Sequence, residues 1–268
     1  MRHTALSIAA TLAGLLGACA TPPRDPAALA VYRANKDPLE PLNRKVFAFN
    51  MVVDRLLLKP VAQAYVRLIP EEGRDALINA VKNLNEPVVF ANETFQGGFR
   101  NAGMTACRFA VNSTVGVAGL VDVAQRHGLG RQVGDFGQTL HVWGIGEGPY
   151  LVLPIVGPTS PRDATGSGVD IFLDPWRYVA RNNNYPTGLS VAEMGISGID
   201  ERSRNIDSLD ELKRESVDYY AAFRSLYRQH RSAELGSPAS TASPESPAGN
   251  FYDDPDSPAP AAAKAGGS

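Results

Sequence analysis

The 268-residue chain predicts a mainly helical fold, on three observations. Apolar side chains recur at helical spacing along several stretches. Residues that start and stop helices bracket those stretches. Twenty-five Gly and twenty Pro, without a repeating period, are too many for a plain helical bundle, so irregular backbone must interrupt the helices.

Asp37-Pro38-Leu39-Glu40 opens the first helix, with a carboxylate at the cap, proline at the first helical position and an acid three residues on. Leu42, Val46, Phe49, Val53 and Leu56 then line one face, and Lys59-Pro60 is expected to stop it. A second helix is predicted from Glu71 to Leu84, with Leu77, Ala80, Val81 and Leu84 inward and Asn85-Glu86-Pro87 as its break. A short helical stretch with Val88, Phe90, Ala91 and Phe95 ends at Gly97-Gly98. Phe109 to Val121 carries no charge. As a helix it would reach about 20 Å, enough for one leaflet of a bilayer but not for a full span, and a buried core helix is the equal alternative. Phe136 to Pro161 has a single charge, Glu147, set among glycines that suggest a flexible tip between two apolar limbs. The prolines of Leu151 to Pro158 exclude a regular helix or a central strand there, leaving a hairpin-like loop. A last helix is predicted from about Asp207 to Arg231, with Leu209, Leu212, Tyr220, Phe223 and Tyr227 on one stripe.

The ends read differently from the body. Arg2 and His3 precede an apolar run from Ala5 to Leu16, the pattern of a signal peptide over residues 1–18. Leu16-Gly17-Ala18-Cys19 resembles the lipobox of bacterial lipoproteins, which makes Cys19 the acylated first residue of the mature chain. Several acyl chains hold a protein firmly at a membrane, because each buried methylene contributes about 0.8 kcal/mol. Ala20, rather than Asp, follows the cysteine and by analogy directs the protein to the outer membrane. Residues 19–35 are then a tether, 36–235 the ordered domain, and 236–268, rich in Ala, Pro and Ser, a tail too poor in apolar residues to fold. Cys107 is left as the single thiol and is expected to be a small buried apolar residue.

The charge balance, net −2, gives no footprint for a phosphate backbone and argues against nucleic-acid binding. Among His127, His141 and His230 no pair has zinc-site spacing, so no metal and no cofactor is expected. There is no Gly-x-Ser-x-Gly elbow, phosphate loop or Cys-x-x-Cys. Gly144-Ile145-Gly146-Glu147-Gly148 lacks the strand-turn-helix setting of a nucleotide loop and reads as a hinge. A hydrolase would have to assemble its triad from such residues as Ser113, His141 and Asp163, with nothing in the sequence to select them.

Taken in order, these residues resemble one family. Asp37-Pro38-Leu39-Glu40-Pro41-Leu42-Asn43-Arg44, followed by Phe47 and Phe49-Asn50, is similar to the opening motif of the MlaA (VacJ) family of outer-membrane lipoproteins. Asn85-Glu86-Pro87, Arg108 to Thr114 with Gly116, Gly119 to Ala124, and Asp135 to Leu140 continue the likeness in register. So do Trp143-Gly144, Gly146, Gly148-Pro149-Tyr150, Leu153-Pro154, Gly157-Pro158 and Arg162-Asp163. The resemblance implies a mainly helical, ring-shaped assembly of amphipathic helices with a Gly/Pro-rich hairpin loop and a central amphipathic channel. It implies removal of mislocalised phospholipids from the outer leaflet, delivery to a soluble periplasmic carrier, MlaC, and porin trimers as neighbours. Such a lipid path needs an apolar wall and a polar route, not a nucleophile. A structural lipoprotein that scaffolds envelope proteins without moving lipid is the alternative from another class.

On this reading the helix from Leu42 to Leu58 borders the channel, with Leu42, Asn43, Phe47 and Asn50 as candidates for controlling access. A core position for Leu42 and a helix-surface position for Asn43 are the competing assignment. Gly144, Gly146, Gly148 and Pro149 are hinge candidates, and Val111, Val115, Val117, Leu120 and Val121 are candidates for the membrane-embedded surface. The Asn182-Asn183-Asn184-Tyr185-Pro186 stretch and the long tail depart from enterobacterial relatives.

Overall fold

The computed structural model describes residues 35–182 and 188–236, with Asp25 and Leu29 besides. The signal peptide, Cys19, most of the tether, Asn183 to Pro186 and the tail from 237 onward lie outside the described residues. In chain order the elements are α1 (Glu40–Val53), a π-helical turn (Asp54–Leu58), α2 (Lys59–Leu68), α3 (Glu71–Phe95), α4 (Phe99–Thr114), α5 (Val123–Arg126) and α6 (Phe136–Val142). Strands β1 (Leu151–Leu153) and β2 (Gly157–Thr159) follow, then α7 (Pro161–Leu173), α8 (Pro175–Asn182), α9 (Gly188–Arg204), α10 (Ile206–Glu215) and α11 (Tyr219–Glu234). The chain divides into two compact units. One is drawn from Met1–Pro70, Asp135–Leu173 and Gly198–Ala239, the other chiefly from Glu71–Gly134 and Asp174–Ser197.

In the first unit the helix begun at Glu40 does not stop at Lys59-Pro60. The backbone widens at Asp54–Leu58, where Lys59 N–H bonds the Asp54 carbonyl five residues back. Pro60 then falls in the first turn of α2, where its missing N–H is not needed. Arg202 donates to both Asp54 oxygens, at 2.7 and 3.2 Å, and anchors the wide turn. The apolar stripe of α1 is also not its buried face. Asn43 and Phe47 are the buried residues, whereas Phe49 and Leu56 are 51% and 70% exposed.

The hairpin forms as expected, antiparallel with Leu151 opposite Thr159, although the limb before its Gly-rich tip is the helix α6. Its core is Phe47, Tyr150, Val152 and Tyr220, with Tyr219, Phe223 and Tyr227 packed around them. The single C-terminal helix expected from Asp207 is in fact two. Ser216 leaves α10 in an extended conformation, and Asp218 caps α11 by accepting from Ala221 N–H at 3.2 Å. Its carboxylate also holds Arg44 at 2.5 Å, and the cap bond plus this ion pair outweigh one more turn of continuous helix.

In the second unit Asn85-Glu86-Pro87 does not break the helix either. α3 passes through Pro87. The missing N–H leaves the Asn83 carbonyl without its helical donor, and Trp176 Nε1 donates to the adjacent Leu84 carbonyl at 2.7 Å. Glu86, Val88 and Val89 are buried beside the proline, and their packing favours continuing the helix past it. The predicted inward residues Leu77, Ala80, Val81 and Leu84 are only half-buried; Ile78, Asn83, Asn92 and Glu93 lie deeper. Phe109 to Val121 is not one helix, because α4 ends at Thr114 and the chain then turns through Val115 to Leu120. Cys107 is exposed rather than buried: Ala102, Thr105, Arg108 and Asn112 form the inward face of α4, and Cys107 points the other way. α7, α8 and α9 have no counterpart in the sequence reading.

Among the described residues no helix is long and apolar enough to cross a membrane.

Candidate functional site

α1 carries two asparagines seven positions apart, and both fasten the hairpin. Asn43 Nδ2 donates to the Tyr150 carbonyl at 3.0 Å, and its Oδ1 accepts from Val152 N–H at 3.0 Å. Two turns on, Asn50 Nδ2 donates to the Leu153 carbonyl at 2.9 Å and its Oδ1 accepts from Ile155 N–H at 2.8 Å. Each amide presents one donor and one acceptor, as a strand neighbour would, so α1 completes the exposed edge of β1. Asn43 is 2% exposed and spends its remaining donor on Asp37 at 2.8 Å. Of the access candidates, then, Asn43 and Phe47 lie inside the protein, while Leu42 and Asn50 are half-buried beside them. The ring of Phe47 sits 5.4 to 5.5 Å from Tyr219, Tyr220 and Phe223.

Asp37 binds this corner together. It accepts from Tyr220 Oη at 2.5 Å and from Arg224 at 2.7 Å. Burial first, then the Asp37 carboxylate, pushes the Tyr220 hydroxyl well above the usual phenol range, so it stays a donor.

At the hairpin's base Asp163 is a second hub. It accepts from Ser160 Oγ at 2.9 Å, Tyr227 Oη at 3.2 Å and Arg231 at 2.9 Å. Burial alone would raise its carboxyl. The Arg231 hydrogen bond and charge, the Ser160 hydroxyl and Arg162 outweigh that and hold it below the ordinary range. Arg231 also reaches Asp135 at 2.7 Å. Gly137 and Gly166 let α6 and α7 touch backbone to backbone, since a Cβ on Gly166 would fall 2.3 Å from Gly137 N. The tip before the hairpin turns at Gly144 and Gly148, both with positive φ, whereas Gly146 faces open space. Glu147 clasps Lys36 at 2.6 Å, and Pro149 leads into the strand.

In the second unit Arg108, 1% exposed, is the centre. Its guanidinium meets Glu86 at 3.2 Å, Asp122 at 2.6 Å and the Leu129 carbonyl. Asn112 joins in through Asp122 at 2.9 Å and the Ala124 N–H at 2.9 Å. These bonds fix the loop of residues 115–121 from beneath. A Cβ on Gly116 would meet the Val121 carbonyl at 2.3 Å, and one on Gly119 would meet the Asn83 side chain at 2.5 Å. Val117 has a φ of +54°, a conformation that costs a β-branched residue about 1–2 kcal/mol. The loop turns Val115, Val117 and Leu120 outward, while Val111 and Val121 are half-buried.

Among the described residues the interior holds more polar and charged side chains than apolar ones, and large apolar side chains lie outside. The segment from α1 to α2 shows this best, with Phe49, Val52, Leu56, Leu57, Val61 and Leu68 exposed while Asn43, Asn50, Asp54 and Lys59 bond inward. Sequence periodicity could not reveal it, since it assigns apolar stripes to the inside. Nor did it assign roles to Asp135, Asp163, Arg108 or Asp122, which the family likeness named only within longer motifs, or to Arg231, read only as the end of the last helix. The available signal was charge surviving within apolar sequence, as at Arg108 and Asp122 on either side of Phe109 to Val121.

The triad candidates have other partners. Ser113 accepts from Asn83 at 2.9 Å, His141 meets Arg162 at 3.4 Å and Asp163 is the hub just described. No group of side chains suited to a metal ion occurs among the described residues.

These features define a class: a mainly helical protein whose buried side chains are largely polar and ion-paired and whose surface carries many large apolar side chains. A family model for the MlaA lipoprotein matches residues 35–234, and the chain belongs to the MlaA lipoprotein family. It is 34% identical over 233 residues to the intermembrane phospholipid transport system lipoprotein MlaA of Escherichia coli K12, covering 85% of this chain and 86% of that one. The Haemophilus influenzae protein of the same name is 34% identical over 200 residues, 72% of this chain and 77% of that one. An uncharacterised protein of Rickettsia felis is 34% identical over 203 residues, 75% and 79% of the two chains. A solved structure described as the basis for maintenance of bacterial outer-membrane lipid asymmetry matches with a TM-score of 0.66 at 33% identity, covering 74% of this chain and 98% of that one. The chain is not an enzyme.

Proposed function

We propose that the chain is an intermembrane phospholipid transport lipoprotein that maintains outer-membrane lipid asymmetry. It takes mislocalised phospholipids from the outer leaflet through an amphipathic channel and passes them to a soluble periplasmic carrier of the MlaC kind, with porin trimers as neighbours in the membrane. One observation carries the reading beyond family membership: the inverted segment from α1 to α2, greasy outside and polar inside. In water that arrangement exposes apolar area at about 25 cal/mol per Å², a cost that disappears when acyl chains cover it.

The acyl groups on Cys19 anchor the protein, and the outward Val115, Val117 and Leu120, backed by Val111 and Val121, enter the lipid. Strain at Val117 supports that assignment, because a costly backbone conformation persists where it presents something useful. Along the channel Leu42 and Asn50 face the lipid path. Asn43 and Phe47 act behind them as positioning residues that fix α1 to the hairpin. The hinge is the tip at Gly144, Gly146, Gly148 and Pro149, and the hairpin moves only together with α1.

Deletion of the gene, followed by labelling of intact cells with a membrane-impermeant amine reagent, tests the reading. Labelled surface phosphatidylethanolamine rises on deletion and returns to wild-type level with the restored gene. An unchanged level in the deletion strain overturns the transport reading and favours a scaffold.

A further inference from the structure

The backbone ladder of the segment from α1 to α2 has a gap at its π-helical turn. There Lys59 N–H bonds the Asp54 carbonyl, five residues back. The next carbonyl, that of Arg55, would take its bond from residue 60, and Pro60 has no N–H to give. No side chain among the described residues donates to it. We propose that this turn binds one phospholipid headgroup of the phosphoethanolamine kind, with the Arg55 guanidinium on the phosphate and the open Arg55 carbonyl accepting from the ammonium. The proposal rests on the transport reading for the lipid that covers this segment, and on the following geometry for the site.

Arg55 is exposed, and no carboxylate among the described residues pairs with it. The acids around the turn are committed elsewhere: Asp54 accepts from Arg202 at 2.7 and 3.2 Å, and Asp210 from Lys59 at 2.5 Å. The guanidinium therefore has its full hydrogen-bonding capacity left for a phosphate, which its planar fork suits. Leu56 and Leu57 beside it are exposed, as are Val52 before the turn and Val61 after it. An arginine in such a stretch lays its stem along acyl chains and keeps its head among polar groups.

The carbonyl adds what a surface arginine alone lacks. Arg55 and Pro60, at the two ends of the missing bond, are both exposed, so the gap opens outward rather than into the protein. A helical side chain leans toward the N-terminus of its helix, whereas the carbonyl points toward the C-terminus. The donor and the acceptor of Arg55 thus lie on opposite sides of its own Cα along the axis, and a headgroup with its anion and cation a few atoms apart meets both. In water the gap costs little, but beneath hydrocarbon an unmet carbonyl is expensive. The donor that a covering lipid brings is its headgroup. Ethanolamine carries N–H groups and choline has none, so the site selects the first over the second.

The test uses the full acylated chain in uncharged detergent micelles carrying either dilauroylphosphatidylethanolamine or dilauroylphosphatidylcholine. Isotopic labelling of arginine carbonyl carbons and leucine amide nitrogens leaves two coupled peptides, Arg55-Leu56 and Arg67-Leu68, and Arg67→Lys removes the second. The Arg55 carbonyl resonance is expected to move downfield with the ethanolamine lipid and to stay in place with the choline lipid. Native mass spectra count retained lipids. Wild type is expected to hold one more ethanolamine lipid than Arg55→Met, and one more than Pro60→Ala, whose new N–H closes the gap; Arg100→Met, at an exposed arginine elsewhere, matches wild type. An Arg55 carbonyl resonance at one position in both lipids, as water filling the gap would give, overturns the site. So do equal lipid counts in wild type, Arg55→Met and Pro60→Ala, and so does a loss in Arg55→Met with none in Pro60→Ala, which leaves a phosphate contact only. The surface-lipid assay of the deletion strain reports separately on transport, so the two readings fail in different experiments.

Discussion

Asn43→Ala is expected to detach β1 from α1. Three hydrogen bonds vanish: to Asp37 at 2.8 Å, to the Tyr150 carbonyl at 3.0 Å and from Val152 N–H at 3.0 Å. The bond to a carboxylate is of the charged kind, about 1.5–3 kcal/mol, and the two to strand backbone net roughly 0.5–1.5 kcal/mol each. Because the site is buried, water cannot replace them, and the expected loss is about 3–5 kcal/mol. Asn50→Ala removes two bonds to the same strand and turn, but Ile155 there is exposed. Water takes over, and the loss is about 1 kcal/mol or less. Urea midpoints at constant m value measure both, and hydrogen exchange at the Val152 amide reports detachment directly. Asn43→Asp keeps the acceptor, loses the donor and sets a carboxylate beside Asp37, so it should behave like Ala or worse. A midpoint for Asn43→Ala no lower than that for Asn50→Ala would refute the positioning role of Asn43.

Four further outcomes follow from the same geometry. Arg108→Met leaves Glu86 and Asp122 without their cation, at a cost of about 3–5 kcal/mol in thermal unfolding, and adding Glu86→Gln recovers part of it. Stability has opposite pH slopes in different places. Asp163 and Asp122 lie below the usual 3.8, so their contribution is present above that pH and is lost as pH falls through their lowered values. Burial raises Glu86 above 4.5, so its contribution is lost as pH rises through the raised value; Glu86→Gln flattens that limb and Asp163→Asn the acid one, as read from urea midpoints. Gly166→Ala drives a Cβ to 2.3 Å from Gly137 N and should lower the stability read from urea unfolding by at least about 2 kcal/mol. Finally, Lys36→Cys with Glu147→Cys, in a Cys107→Ser background and joined by a short bismaleimide, holds the tip shut; surface phospholipid should accumulate, and normal clearance in the joined form would count against a moving tip.

Helix content was legible where periodicity was strong, as along the aromatic stripe of α11, but the expected cap at Asp37 is not one: α1 starts at Glu40 after Leu39, with no side-chain cap bond, because the Asp37 carboxylate is spent on Asn43, Tyr220 and Arg224. Boundaries failed where a tertiary partner overrode a local rule. Pro60 is admitted by a π turn held by Arg202, Pro87 by Trp176 and a buried flank, and α10 and α11 separate because Asp218 finds Arg44. None of those partners lies near its target in sequence. The motif residues were legible as a set but not in their roles. Asn43 and Asn50 stood out by position, yet only the strand beside them shows that they act as two rungs of a ladder. Orientation failed most plainly. The stripe of Leu42, Phe49 and Leu56 has helical period, and period cannot tell a face turned to a protein core from one turned to lipid.

That inversion changes what holds the fold together. A water-soluble domain gathers its helices by burying apolar area, but acyl chains solvate leucine as well as another leucine does, so lipid on the outside removes that drive between helices. The first unit answers with polar ties: Arg44 to Asp218, Lys59 to Asp210, Arg202 to Asp54, Arg224 to Asp37, and Arg231 to Asp135 and Asp163. The second does the same through Arg108. Exposed pairs of this kind contribute little in water and weaken with salt, whereas buried ones keep their strength. On the proposed reading, ion pairs rather than apolar burial then hold α1 and α2 in place, and a path for amphiphiles can stay polar within a fold whose helices it does not need to glue together.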